Sequence, residues 1–169
     1  MIILGVTGSV GMGKTEAGKC FLKKNIDVFD CDKEIAFFYE RRETIIEIKK
    51  NFPSAVLKNK VDKNILAKIV FGDKRKLRLL ESLLHKKLQL KQSFWLRKKI
   101  RKKKKLLVFD VPLLFEKDNL NKYDIILVLS CNEDILRRRV LSRAGWDKER
   151  LNKTLKEQIP DYKKKALAD

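Results

Sequence analysis

Residues 8–15 combine three glycines with one lysine and with the hydroxyl groups of Ser9 and Thr15. Gly8-Ser9-Val10-Gly11-Met12-Gly13-Lys14-Thr15 fits the pattern G-x-x-x-x-G-K-[ST] at every required position. Glycines let the backbone curl so that successive N–H groups point at one anion. Lys14 then reaches the β- and γ-phosphates of a nucleotide, and the Thr15 hydroxyl binds Mg²⁺. The pattern predicts a nucleoside-triphosphate site with Mg²⁺ as cofactor.

The segments that flank this loop match the same function. Ile2 to Val6 is a short apolar run that predicts a buried strand, and Lys14 to Lys24 has the pattern of a helix. A helix that begins at the loop directs its positive end at the phosphates. With both flanks present, an ordinary glycine turn is the weaker interpretation. The residues predicted to contact the triphosphate are Gly8, Gly11, Met12, Gly13, Lys14, Thr15 and Glu16.

Three carboxylates follow predicted strands. Asp30 and Asp32 come after Ile26 to Phe29, and Asp110 comes after Leu106 to Phe109. Ligands of an open α/β sheet bind at the carboxyl ends of its strands. A carboxylate there can accept the proton of a substrate hydroxyl or hold a magnesium-bound water. The alternatives are structural: Asp30 or Asp32 caps the next helix, and Asp110 orders a turn instead of acting as a Walker B acid.

Arginines crowd a predicted helix that opens at Asn132 or Asp134 and ends at Gly145. They are Arg137, Arg138, Arg139 and Arg143. Because Arg139 and Arg143 are four positions apart, they lie on one helical face and can clamp a transferring phosphoryl group. A solvated basic face is the alternative.

The other apolar patterns complete an alternation of strands and helices. Ile125 to Leu129 predicts a fourth strand. Further helices are predicted over Lys33 to Lys50, from the cap Asp62 to Phe71, over Lys74 to Lys103, and from Lys148 to Ile159. Alternation of this kind implies an α/β fold with a mostly parallel sheet, and a helical insertion separates the second and third strands.

The long predicted helix carries a leucine stripe. Its members are Leu77, Leu80, Leu84 and Leu88. His85, the single histidine of the sequence, lies within this stripe. A half-buried structural histidine is its default interpretation.

One short segment imitates a guanine-binding motif. Asn121 to Asp124 matches N-K-x-D, but it precedes an apolar strand instead of following one. No glycine of the sequence has aspartate three positions earlier, so the D-x-x-G motif of GTPases is missing. We therefore interpret Asn121 to Asp124 as a turn.

Composition narrows the class of protein. The 169 residues fit one domain, and a hydrophobic fraction of 44% excludes a disordered or fibrous chain. Lysine and arginine number 41 against 22 aspartate and glutamate, a net charge of +19 that favours anionic partners. The run Arg97 to Lys105 has eight basic residues in nine. We predict that it is a solvated face and not a specific nucleic-acid site.

The cysteines and the lengths of the apolar runs indicate in which cellular compartment the protein is expected. Cys20, Cys31 and Cys131 form no C-x-x-C pair, so neither a disulfide framework nor a zinc site is predicted. No run reaches the ~18 apolar residues of a membrane span. We expect a soluble cytoplasmic protein without a membrane partner, and the sequence predicts no particular oligomeric state.

Several segments together resemble one enzyme family. They are Val6-Thr7-Gly8 with the loop that follows, Val28 to Asp32, Leu84-His85, Asp110 to Glu116, Arg139 with Arg143 to Gly145, and Gln158, Lys164 and Ala168-Asp169. In this order they are similar to dephospho-CoA kinases over essentially the whole chain. The resemblance implies a P-loop NTPase-type three-layer fold with a helical acceptor-binding insertion and a short lid. It implies one domain over 1–169: a core at about 1–32 and 105–143, the insertion at about 33–104, and the lid with its following helix at about 144–169.

The family likeness also implies a reaction. It is transfer of the ATP γ-phosphoryl group to the ribose 3′-hydroxyl of dephospho-CoA, the last step of CoA synthesis. Asp32 would engage the acceptor hydroxyl, and Lys14 and Arg143 would act with it in catalysis. Arg139 and Arg143 would be ATP-binding arginines of the lid.

Acceptor and metal sites follow from the same likeness. His85 and Asp30 are the candidates for binding the acceptor. Thr15 would hold Mg²⁺ together with ATP, and Asp110 is a second candidate ligand.

The sequence departs from the family pattern at three places. Glu16 replaces a second hydroxyl, so its carboxylate should face outward if a phosphate is to bind beside it. Lys86 replaces the proline that usually follows the histidine. The family continues beyond the position of Asp169 into another strand and a final helix, which would border the adenine.

Two other functions stay open at this point. One is a different small-molecule or nucleotide kinase of the same fold, which a comparison of phosphate acceptors distinguishes. The other is a nucleic-acid-stimulated NTPase, which the basic excess suggests and which added RNA or DNA tests.

Overall fold

A computed structural model describes residues 1–117 and 120–169 of the protein. Its strands are β1 (Ile2–Thr7), β2 (Asp27–Asp30), β3 (Val56–Leu57), β4 (Lys60–Val61), β5 (Leu106–Asp110) and β6 (Ile125–Val128). Its helices are α1 (Lys14–Lys23), α2 (Cys31–Phe38), α3 (Arg42–Asn51), α4 (Lys63–Phe71), α5 (Lys74–Arg101), α6 (Glu133–Leu141), α7 (Lys148–Glu157) and α8 (Asp161–Ala166). Short 3₁₀ turns cover Pro53–Ala55, Phe115–Lys117 and Leu120–Lys122.

The described residues divide into two compact units. One joins Met1–Cys31 to Ile100–Asp169, and the other is Asp32–Lys99. The division of the chain into a core, an insertion and a lid within one domain stays a prediction.

The first unit is built on a parallel sheet. Among the described residues, its strands lie in the order β2-β5-β1-β6. In β5, Leu107, Val108 and Phe109 are buried, as expected for a parallel sheet that is covered on both faces. Phe109 packs against Phe29 of β2 with ring centroids 5.4 Å apart. The predicted α/β class is confirmed, and each of the four predicted strands is present within one residue of its expected ends.

The second unit has its own apolar core. Its buried members are Phe38, Ile48, Phe52, Ala55, Leu66, Val70, Leu80 and Leu84. In α5, Leu80 and Leu84 are buried and Leu88 packs against them, whereas Leu77 is 41% exposed. The leucine stripe is therefore confirmed for its last three members.

Local capping explains where two helices begin. Asp62 accepts hydrogen bonds from the N–H groups of Asn64 and Ile65 at 2.9 and 3.0 Å, which confirms the predicted cap of α4. Asn132 caps α6 by accepting from the Asp134 N–H at 2.9 Å. Both caps could be predicted because donor and acceptor are close in sequence.

The single helix predicted over Lys33 to Lys50 is wrong. Helix α2 ends at Phe38 and α3 begins at Arg42, after a turn in which the Arg41 N–H donates to the Phe38 carbonyl at 3.0 Å. The turn lets Phe38 and Ile48 enter the same core. Periodicity along one helix does not reveal such a bend.

A small antiparallel hairpin, β3–β4, was not predicted. Its turn residues Lys58 and Asn59 have φ values of 46° and 59°. Two left-handed residues in succession are typical of the tight hairpin turn, which sequences usually mark with glycine. Lysine in place of glycine hides the signal.

The last helices also differ from the prediction. Helix α6 ends at Leu141 instead of Gly145, and Gly145, with φ of 76°, lies in the turn before α7. Helix α7 ends at Glu157, short of the predicted Ile159. No helix is predicted beyond Ile159, but Pro160 precedes the first turn of α8, where a missing N–H leaves no intrahelical hydrogen bond unmade.

Candidate active site

The loop between β1 and α1 requires glycine at particular positions. Gly8 has a φ of 153°, and a Cβ there would lie 2.5 Å from the Leu129 carbonyl oxygen. Gly13, with φ of 94°, is the N-cap residue of α1, and no described side chain caps this helix end. The first turn of an α-helix presents N–H groups that can bind an anion.

Lys14 places its charge at the same loop. Its Nζ donates to the Gly8 carbonyl at 2.5 Å and to the Ser9 carbonyl at 3.3 Å. These contacts hold the ammonium group over the loop. A triphosphate bound there meets a cation that is already in position.

Apolar packing supports the loop from α6 and α7. Met12 is buried in a cluster with Leu136, Val140 and Leu151. Its Sδ accepts from the Cys131 N–H at 3.1 Å. Met12 thus holds the loop through its side chain, a role that the loop motif does not indicate.

Glu16 faces outward, as expected for a carboxylate beside a phosphate site. Its carboxylate pairs with Lys19 at 2.7 Å, and its side chain is 73% exposed. The hydrogen bond from Lys19 and the charge of Lys19 lower the pKa of Glu16, and Arg139 adds a smaller effect. Thr15, one position earlier, is also exposed.

The arginines of α6 separate into two groups. A Cβ at Gly13 would lie 3.7 Å from Arg139 Nη1, so this guanidinium is adjacent to the loop. Arg143 is exposed just beyond the end of α6 at Leu141, so the prediction that it shares one helical face with Arg139 is wrong. Arg137 instead binds Glu133 through Nε and Nη2 at 2.9 and 2.7 Å. Arg139 is thus brought to the loop and Arg137 is not.

The register of the sheet brings two predicted carboxylates together. Asp30, at the end of β2, is paired with Asp110, at the end of β5. Asp110 is also paired with Val6 of β1, and both carboxylates are half-buried. Mg²⁺ prefers oxygen ligands and is commonly held by one or two carboxylates plus phosphate. The hydroxyl of Thr15 and the carboxylate of Asp110 are donors that fit this ion.

Asp32 and His85 belong to the second unit. Asp32 is exposed in the first turn of α2, two positions after Asp30. His85 is half-buried on α5. Their roles toward substrates stay predictions.

The N-K-x-D segment is a turn, as expected. Its last residue, Asp124, accepts from the Ile3 N–H at 2.7 Å and donates its own N–H to the Ile3 carbonyl at 2.9 Å. Asp124 thereby attaches the start of β6 to β1. This structural role explains the motif without a guanine base.

One residue outside the motif contacts the loop, and a second residue binds the backbone next to the first. Gln158 accepts from the Val10 N–H at 3.3 Å, and Glu116 accepts from the Ile159 N–H at 3.0 Å. In the sequence, Gln158 and Glu116 stand out only because they belong to the segments that resemble the family, and the resemblance gives neither residue a role.

The basic run is mostly exposed. Of residues 97–105, Lys99 and Lys104 are half-buried and the others are exposed. Lys104 pairs with Asp27 at 2.9 Å. No helix in the described part of the chain has the length and apolar character needed to cross a membrane.

Comparison with known proteins points to one enzyme family. Residues 2–169 match the model of the family described as CoaE, dephospho-CoA kinase. The dephospho-CoA kinases of Bartonella quintana and Agrobacterium fabrum are each 34% identical to the chain, covering 100% of it and 87% of their own lengths. Among solved structures, TT1252 from Thermus thermophilus has a TM-score of 0.86 at 29% identity, over 99% of this chain and 85% of that one. Dephospho-CoA kinase from Campylobacter jejuni shares the fold, with a TM-score of 0.71 at 24% identity over the same shares of the two chains.

Proposed function

Because the chain belongs to the dephospho-CoA kinase family and phosphorylates dephospho-CoA with ATP in CoA biosynthesis, we propose how its own residues perform the transfer. The γ-phosphoryl group goes to the ribose 3′-hydroxyl, with Lys14, Arg143 and Asp32 as the catalytic residues. The observation that carries the proposal is the glycine loop at the start of α1, with the Lys14 ammonium held at Gly8 and Ser9.

Phosphoryl transfer depends mainly on positioning and on neutralising charge. The N–H groups at the start of α1 and the Lys14 ammonium bind the β- and γ-phosphates. Arg139, adjacent to Gly13, and Arg143, near the end of α6, oppose the charge of the transition state. Arginine suits this role because its planar guanidinium grips two phosphate oxygens at once.

Asp32 supplies acid–base chemistry in this proposal. The 3′-oxygen forms a bond to the γ-phosphorus while the bond from that phosphorus to the β,γ-bridging oxygen breaks, and ADP leaves with the electron pair. The hydroxyl proton passes to the Asp32 carboxylate. His85 and Asp30 bind the acceptor.

A divalent cation fits the nucleotide site. Thr15 and Asp110 would hold Mg²⁺, which supplies charge neutralisation at the β- and γ-phosphates when bound. We expect the reaction to take place in the cytoplasm, with ATP and dephospho-CoA as partners and with neither a membrane nor a specific nucleic acid involved.

The acceptor is tested by coupled ADP release. Dephospho-CoA is compared with shikimate and with nucleosides, and then with RNA or DNA as added effectors. ADP release that requires dephospho-CoA supports the proposal. Faster release with another acceptor favours a different small-molecule kinase, and stimulation by a polynucleotide favours the NTPase alternative.

Asp32→Asn tests the acid–base role. The substitution should slow transfer by roughly 10²–10⁴-fold, the usual contribution of a positioned acid–base group, and should leave ATP affinity almost unchanged. Asp30→Asn is the matched control and should be milder. A crippled Asp30→Asn variant beside a mild Asp32→Asn variant would reverse the two roles.

A further inference from the structure

A side chain far along the sequence reaches the glycine loop. Gln158 Oε1 accepts from the Val10 N–H at 3.3 Å, across 148 positions of the chain. Val10 lies in the first half of the loop, whose backbone must keep one shape to bind phosphate. Gln158 follows α7 with an extended backbone (φ −99°, ψ 148°), so the helix does not determine where its side chain lies.

Glu116 fixes the backbone beside Gln158. Its Oε1 accepts from the Ile159 N–H at 3.0 Å and lies 2.9 Å from Lys164 Nζ. The Lys164 side chain is fully buried, and that of Glu116 is 13% exposed. Burial alone raises the pKa of Glu116, but the hydrogen bonds from Lys164 and Ile159 outweigh it and lower the pKa below its ordinary value. Glu116 is therefore ionised at neutral pH.

The segment that carries Glu116 is itself attached to the base of the loop. The Thr7 hydroxyl, at the end of β1, donates to the Pro112 carbonyl at 3.2 Å. Contacts thus close a ring, from the end of β1 through Glu116 and Gln158 back to Val10.

We propose that Glu116 is a positioning residue for ATP, which holds Ile159 so that Gln158 stays against Val10 and the loop keeps its binding shape. The inference rests on the proposed role of this loop as the ATP site. A residue that acts in this way affects nucleotide binding more than the chemical step. Its loss should raise KM for ATP and change kcat and the KM for dephospho-CoA little.

The test uses Glu116→Ala, which removes the acceptor of the Ile159 N–H, together with Gln158→Leu and the double variant, with steady-state kinetics and direct ATP titration. In each single variant we expect KM for ATP to rise roughly 10-fold and kcat to fall about threefold or less. The double variant should be no worse than the single variants, because both substitutions interrupt the same chain of contacts.

Two controls separate positioning from folding. Ser130→Ala removes a 2.6 Å hydrogen bond to Asp161, which lies shortly after Gln158 in the chain. In this variant KM for ATP should not change. Glu116→Leu combined with Lys164→Met removes both charges, so no unpaired charge is left buried. This pair should melt near the wild-type temperature and still show a raised KM for ATP, because the Ile159 N–H has lost its acceptor.

Three results would overturn the inference: additive effects in the double variant, an equal rise in the KM for dephospho-CoA, or a lower kcat at unchanged KM for ATP. ATP titration distinguishes this failure from failure of the proposed function. If the wild-type protein binds no ATP, both the proposed function and the inference about Glu116 are wrong. If the wild-type protein binds ATP but no better than Glu116→Ala does, only the inference about Glu116 is wrong.

Discussion

The glycine loop at residues 8–15 and the basic run at residues 97–105 both favour anions, but they are built in opposite ways. In the loop, the residues Gly8, Ser9, Gly11 and Met12 are buried, and a single lysine brings the charge. In the run, eight of nine residues are basic and most are exposed. A phosphate at the loop meets donors already in place, whereas one at the run meets mobile side chains that also bind water.

The difference in solvent exposure between the loop and the run also changes how strongly each attracts a phosphate. Two unit charges about 4 Å apart interact by about 1 kcal/mol in bulk water and by about 4 kcal/mol at an effective dielectric constant of about 20. Exposed charges are also screened beyond about 8 Å at physiological ionic strength. Ordered hydrogen-bond donors therefore make a phosphate site, whereas a large number of exposed cations does not.

Removing the single lysine of the loop is the strongest test of this contrast. Lys14→Ala should abolish turnover, because the β- and γ-phosphates lose the ammonium that the loop holds at Gly8. ADP release with dephospho-CoA is the measurement. Lys102→Ala, which removes an equal charge from the exposed run, is the control and should retain wild-type turnover. Near-normal activity of Lys14→Ala would remove the loop from the mechanism.

Replacing the arginines near the loop by lysine tests whether the guanidinium group, and not only its charge, is needed. Arg143→Lys keeps the charge but loses the planar guanidinium, so kcat should fall on the order of 10³-fold, more than KM for ATP rises. Arg139→Lys should be milder. Arg138→Ala, which removes the charge of an exposed arginine on the same helix, is the control and should retain most of the wild-type kcat. A loss of kcat in Arg138→Ala as large as that in Arg143→Lys would mean that these arginines act through bulk charge and not as a lid.

The basic run itself should give the smallest effect. Changing Lys102, Lys103 and Lys105 to glutamine together should alter kcat/KM by about twofold or less at physiological salt, because exposed charges are screened. Polynucleotide binding, measured by fluorescence anisotropy, should be weak, fall steeply with salt, and weaken further in the triple variant. Selective binding of one sequence at physiological salt would overturn the interpretation of the run as a solvated face.

Local patterns could be predicted from the sequence. The glycine loop with its strand and helix, and the Asp62 cap of α4, depend on residues within a few positions of one another. The four strands could be recognised because each is a short apolar run. Lys14 and Thr15 could be assigned to a nucleotide because the motif specifies both their type and their spacing.

Contacts between residues that are far apart in the sequence depend on the tertiary structure. The register of β2 and β5 pairs Asp30 with Asp110, and Gln158 reaches Val10 across 148 positions. No local preference encodes such contacts, since they form only when the sheet and helices bring separate segments together. For the same reason the bend after Phe38 could not be predicted, because the shared core of the second unit, and not the helical pattern, determines it.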